Sequence, residues 1–324
     1  MMNSHSIRRA VSVGRWISVL ALLTACGDGQ EIPESGAPRG TFKAVETSTF
    51  LSSVPADQIV LSVPPEKVTI NFSEPVLAGS EIMVWLDRVP VPADATEIAQ
   101  DGLSMSVVID PSLPATGVYD VAYSVVSDAG TEDGQFVFYV ENLSYMGQDL
   151  SSLGEFRDNS IKGPIYVDLD QYELEITGLV KNPMRLTYQE VLDFGSESRV
   201  MDMNCVEGWT VSPLWTGVPI MELIRAAEPL DGAVSLIFTA IDGYDDFLPI
   251  SFVEEHDTML AHTLNQVTMP AARGFPFQVA AEGKWGYKWV KWLTKIEVSS
   301  LETYEGFWEK FGYSTDGDLD KPFL

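Results

Sequence analysis

The chain has 324 residues and a formal net charge of −27 at pH 7, from 20 basic and 47 acidic side chains. A surface this acidic repels nucleic acid and anionic lipid headgroups and favours cationic partners, so a nucleic-acid-binding function is excluded. The length is sufficient for two folded domains.

Residues 1–25 have the pattern of a lipoprotein signal peptide. A basic start with three arginines precedes the apolar run 16–23, which is too short to span a bilayer. The run ends at Leu23-Thr24-Ala25-Cys26, which resembles a bacterial lipobox. We therefore expect an exported protein that is lipidated at Cys26 and anchored to a bacterial membrane, on its periplasmic or cell-surface side. The alternative is an ordinary signal peptide with an incidental cysteine.

Residues 26–40 and 41–142 differ sharply in composition and in hydrophobic pattern. The first range is rich in Gly, Pro and polar residues and predicts a flexible tether. The second predicts an all-β sandwich of the immunoglobulin type, because short alternating runs are separated by Gly and Pro turn signals. The expected strands are Lys67–Phe72, Glu81–Leu86, Met105–Asp110, Val118–Val126 and Gln135–Val140.

Three segments of the expected sandwich, Leu51–Asp57, Val68–Pro75 and Gly117–Tyr123, carry a family resemblance. They resemble the copper-resistance protein C-like and bacterial Ig-like sandwiches. The copper proteins hold their metal with histidines, and residues 41–142 contain none. A copper-handling function is therefore disfavoured, since acidic oxygens alone hold copper poorly. A spacer or docking module is the better interpretation.

Residues 143–324 contain both helix-like and strand-like hydrophobic patterns, which predicts an α+β domain. The helix predicted at Val218–Ala227 places Ile220, Leu223, Ile224 and Ala227 on one face. No later stretch is long and apolar enough to cross a membrane. The other predicted elements are a helix at Thr187–Phe194 and strands at Tyr172–Leu179, Val234–Ala240, Phe275–Ala280 and Lys288–Val298.

If Cys26 is lipidated, Cys205 is the only remaining cysteine and cannot form an intramolecular disulfide. A lone cysteine in an exported protein is a partner thiol, a metal ligand, a nucleophile or a small core residue. The sequence carries no Cys-x-x-Cys-His haem motif, flavin signature or cluster-type set of cysteines. Electrons for a redox reaction would therefore be exchanged with a separate protein, such as a membrane cytochrome, a quinone-linked protein or a c-type cytochrome.

The segment Met203-Asn-Cys-Val-Glu-Gly-Trp-Thr-Val-Ser-Pro-Leu-Trp-Thr-Gly-Val-Pro-Ile220 resembles the molybdopterin-binding domain of the sulfite oxidase superfamily. Around the cysteine it is closest to the catalytic subunit of the periplasmic methionine-sulfoxide reductase. The resemblance covers about residues 150–315. Further matching segments are Phe156–Pro164, Tyr172–Pro183, Asp242–Pro249, Gly274–Gln278 and Lys284–Trp292.

The resemblance implies a molybdenum–molybdopterin cofactor with Cys205 as the protein ligand to the metal. Soft thiolate suits that metal, and a metal-bound thiol is deprotonated. It also implies that Tyr244 is an active-site hydroxyl beside the metal. The residues that it places around the pterin and its phosphate are Arg157, Asn159, Arg273, Gln278, Gly286, Tyr287, Lys288 and Lys291. The alternatives are ordinary ones: solvated lysines on a strand, a buried strand tyrosine and a surface turn at 157–159.

Two departures from the family pattern bear on function. The basic cluster that follows the cysteine in sulfite oxidases is replaced by Val206-Glu207-Gly208-Trp209, and an arginine that contacts the pterin is replaced by Gln278. The first change disfavours an anionic substrate such as sulfite. We therefore expect oxygen-atom transfer on a small neutral substrate, in the reductive, sulfoxide-like direction. The rival hypotheses are a non-catalytic binding lipoprotein that keeps the fold without the cofactor, and a sulfite-oxidising enzyme.

Overall fold

Nine β-strands form the N-terminal part of the computed structural model, which describes residues 43–91, 94–109 and 116–324. The predicted signal peptide, the lipidation site Cys26 and the tether lie outside the described residues, as does Asp110 at the end of a predicted strand. The nine strands are β1 Phe50–Val54, β2 Val60–Leu61, β3 Lys67–Phe72, β4 Glu81–Leu86, β5 Val89–Pro90, β6 Glu97–Ile98, β7 Ser104–Val108, β8 Gly117–Ser127 and β9 Gly130–Val140.

These strands form two facing sheets, in the orders β1-β3-β7-β6 and β2-β9-β8-β4-β5. Successive positions of β3 and β4 alternate between more exposed and buried, as a half-buried strand requires. Their inward side chains, including Ile70, Val84 and Phe138, form one core between the sheets. The predicted all-β sandwich is confirmed, and so are the bounds of β3 and β4.

The second domain contains fourteen strands and three α-helices among the described residues. Its strands are β10 Ser144–Tyr145, β11 Gln148–Asp149, β12 Leu174–Gly178, β13 Met184–Leu186, β14 Glu197–Val200, β15 Met203–Asn204, β16 Thr210–Val211, β17 Leu214–Pro219, β18 Ser235–Ala240, β19 Asp245–Pro249, β20 Met259–Leu264, β21 Val267–Thr268, β22 Gln278–Ala280 and β23 Leu293–Ser299. Its helices are α1 Tyr188–Leu192, α2 Ile220–Ala227 and α3 Ile250–Glu255. No helix of the described ranges is both long and apolar enough to cross a membrane.

Two five-stranded sheets organise this domain. One has the order β13-β12-β23-β18-β19, with β12 and β23 parallel. The other runs β14-β17-β20-β21, and β22 also pairs with β20. Between them lies a large apolar core that includes the buried face of α2. The predicted α+β fold is confirmed, and all four residues expected on the inner face of α2 are buried.

Several predicted elements of the second domain are shorter in the structure than in the sequence analysis, and three of them show why. Helix α2 begins at Ile220 because Val218 and Pro219 pair with β20. The strand expected from Phe275 is limited to Gln278–Ala280, since Pro276 has no N–H to donate to a ladder. The strand expected from Lys288 begins at Leu293, because Gly286–Lys288 forms a turn of 3₁₀-helix.

The two domains share a buried contact. Val137 and Tyr139 of β9 pack with Val267 of β21. Nearby, the buried Glu141 carboxylate accepts hydrogen bonds from the Asn265 amide at 2.7 Å and the Leu153 N–H at 2.9 Å. A carboxylate that is removed from water in this way is stabilised by its donors. The sandwich is therefore packed against the second domain through both apolar and polar contacts.

Candidate active site

A cleft of about 640 Å³ in the second domain collects side chains from several distant segments. It is lined by every predicted site residue of the described chain except Lys288. Segment 156–161 forms one part of the cleft, the hairpin of β15 and β16 forms another, and the turn at 286–292 closes a third. Residues that are distant in sequence, such as Arg157 and Lys291, are thus brought together.

Cys205 lies in the loop of the β15–β16 hairpin. Its N–H donates to the Trp209 carbonyl, and its carbonyl accepts from the Gly208 N–H, both at 2.9 Å. Gly208 has a φ of 82°, a left-handed conformation that glycine adopts without strain. This tight loop directs a largely buried thiol, 7% exposed, to the cleft.

The Cys205 sulfur accepts a hydrogen bond from the Asn159 side-chain amide at 3.4 Å. Burial, followed by the charge of Glu207, raises the pKa of the Cys205 thiol, whereas the Glu207 backbone N–H, the Asn159 hydrogen bond and the Arg157 charge lower it. Because burial is the largest of these effects, the thiolate needs a further positive charge to be the stable form. A metal ion supplies such a charge.

The turn at Gly286–Lys288 lies against the cysteine hairpin. Trp285 and Asn204 form a parallel bridge, and a Cβ added to Gly286 would lie 3.3 Å from the Asn204 carbonyl oxygen. Glycine therefore allows a closer approach at this position than other residues would. Gly286 and Tyr287 both line the cleft, as the family resemblance predicted.

One side of the cleft, which we call the cationic wall, carries Arg157, Arg273 and Lys291. The Arg273 guanidinium donates to the Arg157 and Phe156 carbonyls at 3.1 and 3.3 Å. The Lys291 ammonium contacts the Ala272 carbonyl at 3.2 Å and the Asp158 carboxylate at 3.4 Å. Asp158 is the one carboxylate paired with this wall among the described residues, so the wall has an excess of positive charge.

Burial, together with the charge of the neighbouring Arg273, lowers the pKa of Lys291 to about 8 against the opposing effect of Asp158. Burial also lowers the pKa of Arg273. Two partly desolvated cations side by side are stabilised when an anion binds between them. The cationic wall therefore fits a phosphate-bearing cofactor such as molybdopterin.

Gln278 lies at the start of β22 and lines the cleft with 2% of its surface exposed. Its side-chain amide donates to the Trp289 carbonyl at 3.4 Å. A neutral amide stands where the family pattern has an arginine, and Arg273 supplies positive charge to the same cleft. The departure at Gln278 thus leaves the cleft cationic on this side.

The structure does not bring the Lys288 side chain to the cleft, so the geometry lends no support to the prediction that Lys288 holds the pterin phosphate. Lys288 is 1% exposed, does not line the cleft and pairs with the Asp246 and Glu309 carboxylates at 2.6 Å each. Its backbone N–H is also engaged, with the Trp285 carbonyl. Lys284 is likewise turned elsewhere, toward Asp316 and Asp318. Of the three clustered lysines, only Lys291 reaches the cleft.

Tyr244 lines the cleft, but its hydroxyl donates to the Tyr287 carbonyl at 2.5 Å. The hydroxyl oxygen therefore offers its lone pairs to the cleft, whereas its proton is engaged. Burial, followed by the charge of Asp246, raises the pKa of Tyr244 well above its usual range. The expected hydrogen-bond donation to a transferred oxygen would require this hydroxyl to leave Tyr287, so that role stays a prediction.

The lining residues that were not predicted as site residues include four aromatic ones near the C-terminus. They belong to one C-terminal segment, and we call them the aromatic wall: Phe307, Trp308, Phe311 and Tyr313. The signal that could have identified them is the density of aromatic residues in 304–313, Tyr-Glu-Gly-Phe-Trp-Glu-Lys-Phe-Gly-Tyr. Such density outside a regular strand or helix pattern is unusual for a surface segment.

Two family descriptions match the chain. "Oxidoreductase molybdopterin binding domain" matches residues 162–308, and "CopC domain" matches residues 50–141. Within the described parts of the sandwich and the second domain, no group of three or more His, Cys, Asp or Glu side chains could hold a metal ion.

Several curated proteins resemble the second domain. The uncharacterized oxidoreductase YuiH of Bacillus subtilis is 30% identical over 156 residues, 48% of this chain and 78% of that protein. The putative protein-methionine-sulfoxide reductase subunit YedZ1 of Azospira oryzae is 30% identical over 47% of this chain and 57% of its own. The protein-methionine-sulfoxide reductase catalytic subunit MsrP of Gluconobacter oxydans is 29% identical over 40% of this chain and 48% of its own. The chain thus spans about half the length of the latter two.

Proposed function

This chain belongs to the oxidoreductases with a molybdopterin-binding domain, and we propose that it catalyses oxygen-atom transfer on a small substrate with Cys205 as the protein ligand to molybdenum. One observation carries this proposal: the Cys205 thiol and the cationic wall line the same cleft. A thiolate suits the metal, and the cations suit the phosphate of the pterin.

Six residues that line the cleft have separate roles in this proposal. Cys205 binds the metal, and the Asn159 amide orients its sulfur from 3.4 Å. Arg273 and Lys291 hold the phosphate, and Gly286 with Tyr287 forms the backbone next to the cysteine loop. When bound, the cofactor supplies two-electron redox chemistry at the metal, and the protein supplies binding, orientation and electrostatics.

We propose that the substrate is neutral and is reduced, as a sulfoxide would be. Support comes from Glu207, an exposed acid at the mouth of the cleft, and from the name of the MsrP relative. Arg157 also lines the cleft and acts on the pKa of Cys205, so the site is not devoid of cations. The predicted preference against sulfite therefore depends on Glu207 and its loop, and not on a complete absence of positive charge.

We further propose that the protein is exported and held at a bacterial membrane by a lipid on Cys26, and that it exchanges electrons with a separate redox protein. The lipobox-like segment supports the anchor, and the lack of a haem, flavin or cluster motif in the sequence supports the partner. The role of the sandwich is that of a spacer or docking module.

Purification from a molybdenum-competent host, with metal and pterin analysis, separates this function from a binding protein that keeps the fold alone. We expect about one molybdenum and one pterin for each chain. Cys205→Ser should lower sulfoxide reduction by at least about 100-fold, since losing mere partners of metal ligands costs roughly 10- to 100-fold. Full wild-type turnover in this variant would remove Cys205 from the metal, and a folded protein without metal would support the non-catalytic alternative.

A further inference from the structure

The aromatic wall is continuous with the part of the cleft that holds Cys205. Phe307 contacts Tyr244 with ring centroids 5.4 Å apart, Trp308 lies 5.4 Å from Phe307, and Tyr313 lies 5.2 Å from Trp308. Phe311 completes the wall and is 67% exposed. In a chain this acidic, a row of rings in tilted and edge-to-face contact that ends in an exposed phenylalanine forms an apolar surface beside a polar site.

The aromatic wall is held in place by a buried ion cluster. Glu309 lies between the wall residues Trp308 and Phe311, and its carboxylate pairs with the buried Lys288 ammonium at 2.6 Å. Lys288 pairs equally closely with Asp246 of β19. The Phe307 N–H donates to the Asp245 carbonyl at 2.9 Å, and a Cβ on Gly306 would lie 2.7 Å from that oxygen. The segment is therefore packed tightly against β19, and the wall is preformed.

The chemistry of the wall limits what it can bind. Its four side chains carry no formal charge at neutral pH, and the ring faces offer apolar contact area. The segment 304–316 carries the acids Glu305 and Asp316 near the wall, and its single lysine, Lys310, is paired with Asp245 at 3.5 Å. An anionic substituent is disfavoured here, whereas an aryl or long alkyl group gains contact with preordered rings at little conformational cost.

We propose that the aromatic wall determines substrate specificity by binding the apolar substituent of the substrate, so that an aryl or long-chain oxide is preferred over its methyl counterpart. Phe311 and Trp308 make the main contacts, and the cluster of Lys288 with Asp246 and Glu309 positions them. The inference rests on the proposed function, because it names the class of substrate that the same site takes.

The test compares two neutral sulfoxides that differ in one substituent, methyl phenyl sulfoxide and dimethyl sulfoxide. Phe311→Ala and Trp308→Ala should each lower kcat/KM for the phenyl compound by roughly tenfold, mainly through KM, because lost apolar contacts in a binding site cost about 10- to 200-fold. The dimethyl compound should change by less than about twofold, since it is too small to gain from the wall. Tyr145→Ala, on β10 and outside the cleft, is the control and should leave both substrates unchanged.

A second measurement is independent of turnover. Methyl phenyl sulfone and dimethyl sulfone serve as unreactive probes of the purified holoenzyme in isothermal titration calorimetry. The phenyl sulfone should bind the wild type more tightly than the methyl sulfone, and Phe311→Ala should abolish that difference. Equal binding of both sulfones by the wild type, or equal losses on both sulfoxides in the variants, would overturn the role of the wall. Phenyl selectivity in binding without reduction of any sulfoxide would instead overturn the proposed reaction and keep the wall.

Discussion

The two walls of the cleft differ in the chemistry of their side chains and in how far apart their residues lie in the sequence. The cationic wall gathers Arg157, Arg273 and Lys291 from positions up to 134 residues apart in sequence. The aromatic wall comes from the single segment 307–313. The difference indicates that the two walls suit different ligand groups. The charged wall suits an anionic cofactor, and the apolar wall suits an uncharged substituent of the substrate.

Lys288 and Lys291 sharpen this comparison, because they lie three residues apart and serve different walls. Lys288→Met should destabilise the protein by about 3–5 kcal/mol, since it leaves buried Asp246 and Glu309 carboxylates without their cation. Lys310→Met is the matched control, because Lys310 is about half exposed and pairs loosely with Asp245 at 3.5 Å. Its cost should stay below about 1 kcal/mol. Urea unfolding of both variants measures the loss in the free energy of unfolding. Equal losses in the two variants would show that the buried ion cluster stabilises the fold no more than the exposed pair does.

Lys291→Glu should break the cationic wall. Reversing the charge replaces an attraction for the phosphate with a repulsion, and each lost charge-assisted hydrogen bond costs about 1.5–3 kcal/mol. Pterin content should therefore fall at least about tenfold by this energy scale. Lys295→Glu, four residues along on β23 and more exposed, should retain full pterin content. Full content in both variants would remove Lys291 from the cofactor site.

The cationic wall also predicts a dependence on pH. The pKa of Lys291 is lowered to about 8, so its ammonium is charged below that pH and neutral above it. Sulfate keeps a constant charge from pH 6 to 10, so its affinity for cofactor-free protein should fall by up to about tenfold as pH rises through 8. Lys291→Met should bind sulfate more weakly at pH 6 and show no such step. A step of the same size in this variant would assign the titration to another group.

Glu207 gives the smallest expected effect. Glu207→Gln removes an exposed acid at the mouth of the cleft and should raise the second-order rate of the oxidised enzyme with sulfite by about threefold or less. Glu282→Gln, exposed and outside the cleft, should leave the rate unchanged. Stopped-flow absorbance measures both. Rapid, saturable reduction of the wild type by micromolar sulfite would instead support a sulfite-oxidising enzyme.

Much of the fold could be predicted from local pattern. Strands β3 and β4 alternate because one face of each meets the core, and α2 shows its buried face in the spacing of Ile220, Leu223, Ile224 and Ala227. Strand β20 was not predicted, because most of its residues are buried and it lacks a regular alternation. Helix α3 is only six residues long, which is too short for a clear helical period.

The site could be predicted where a residue's role depends on its own motif, and could not where it depends on distant partners. The resemblance around Cys205, Asn159 and Arg273 led to residues that line one cleft. The burial of Lys288 could not be predicted because its partners Asp246 and Glu309 are 42 and 21 residues away and meet it only in the folded chain. Burial of a lysine cannot be read from a lysine-rich segment when the carboxylates that pair with it lie elsewhere.

The central claim is that the Cys205 sulfur would be the protein ligand to molybdenum in this cleft. X-ray absorption at the molybdenum edge, on the wild type and on Cys205→Ser, tests this claim most directly. Because the alkoxide is a harder ligand than the thiolate, the variant should show one sulfur neighbour fewer than the wild type. An unchanged number of sulfur neighbours in Cys205→Ser would show that the metal is held by something other than this cysteine.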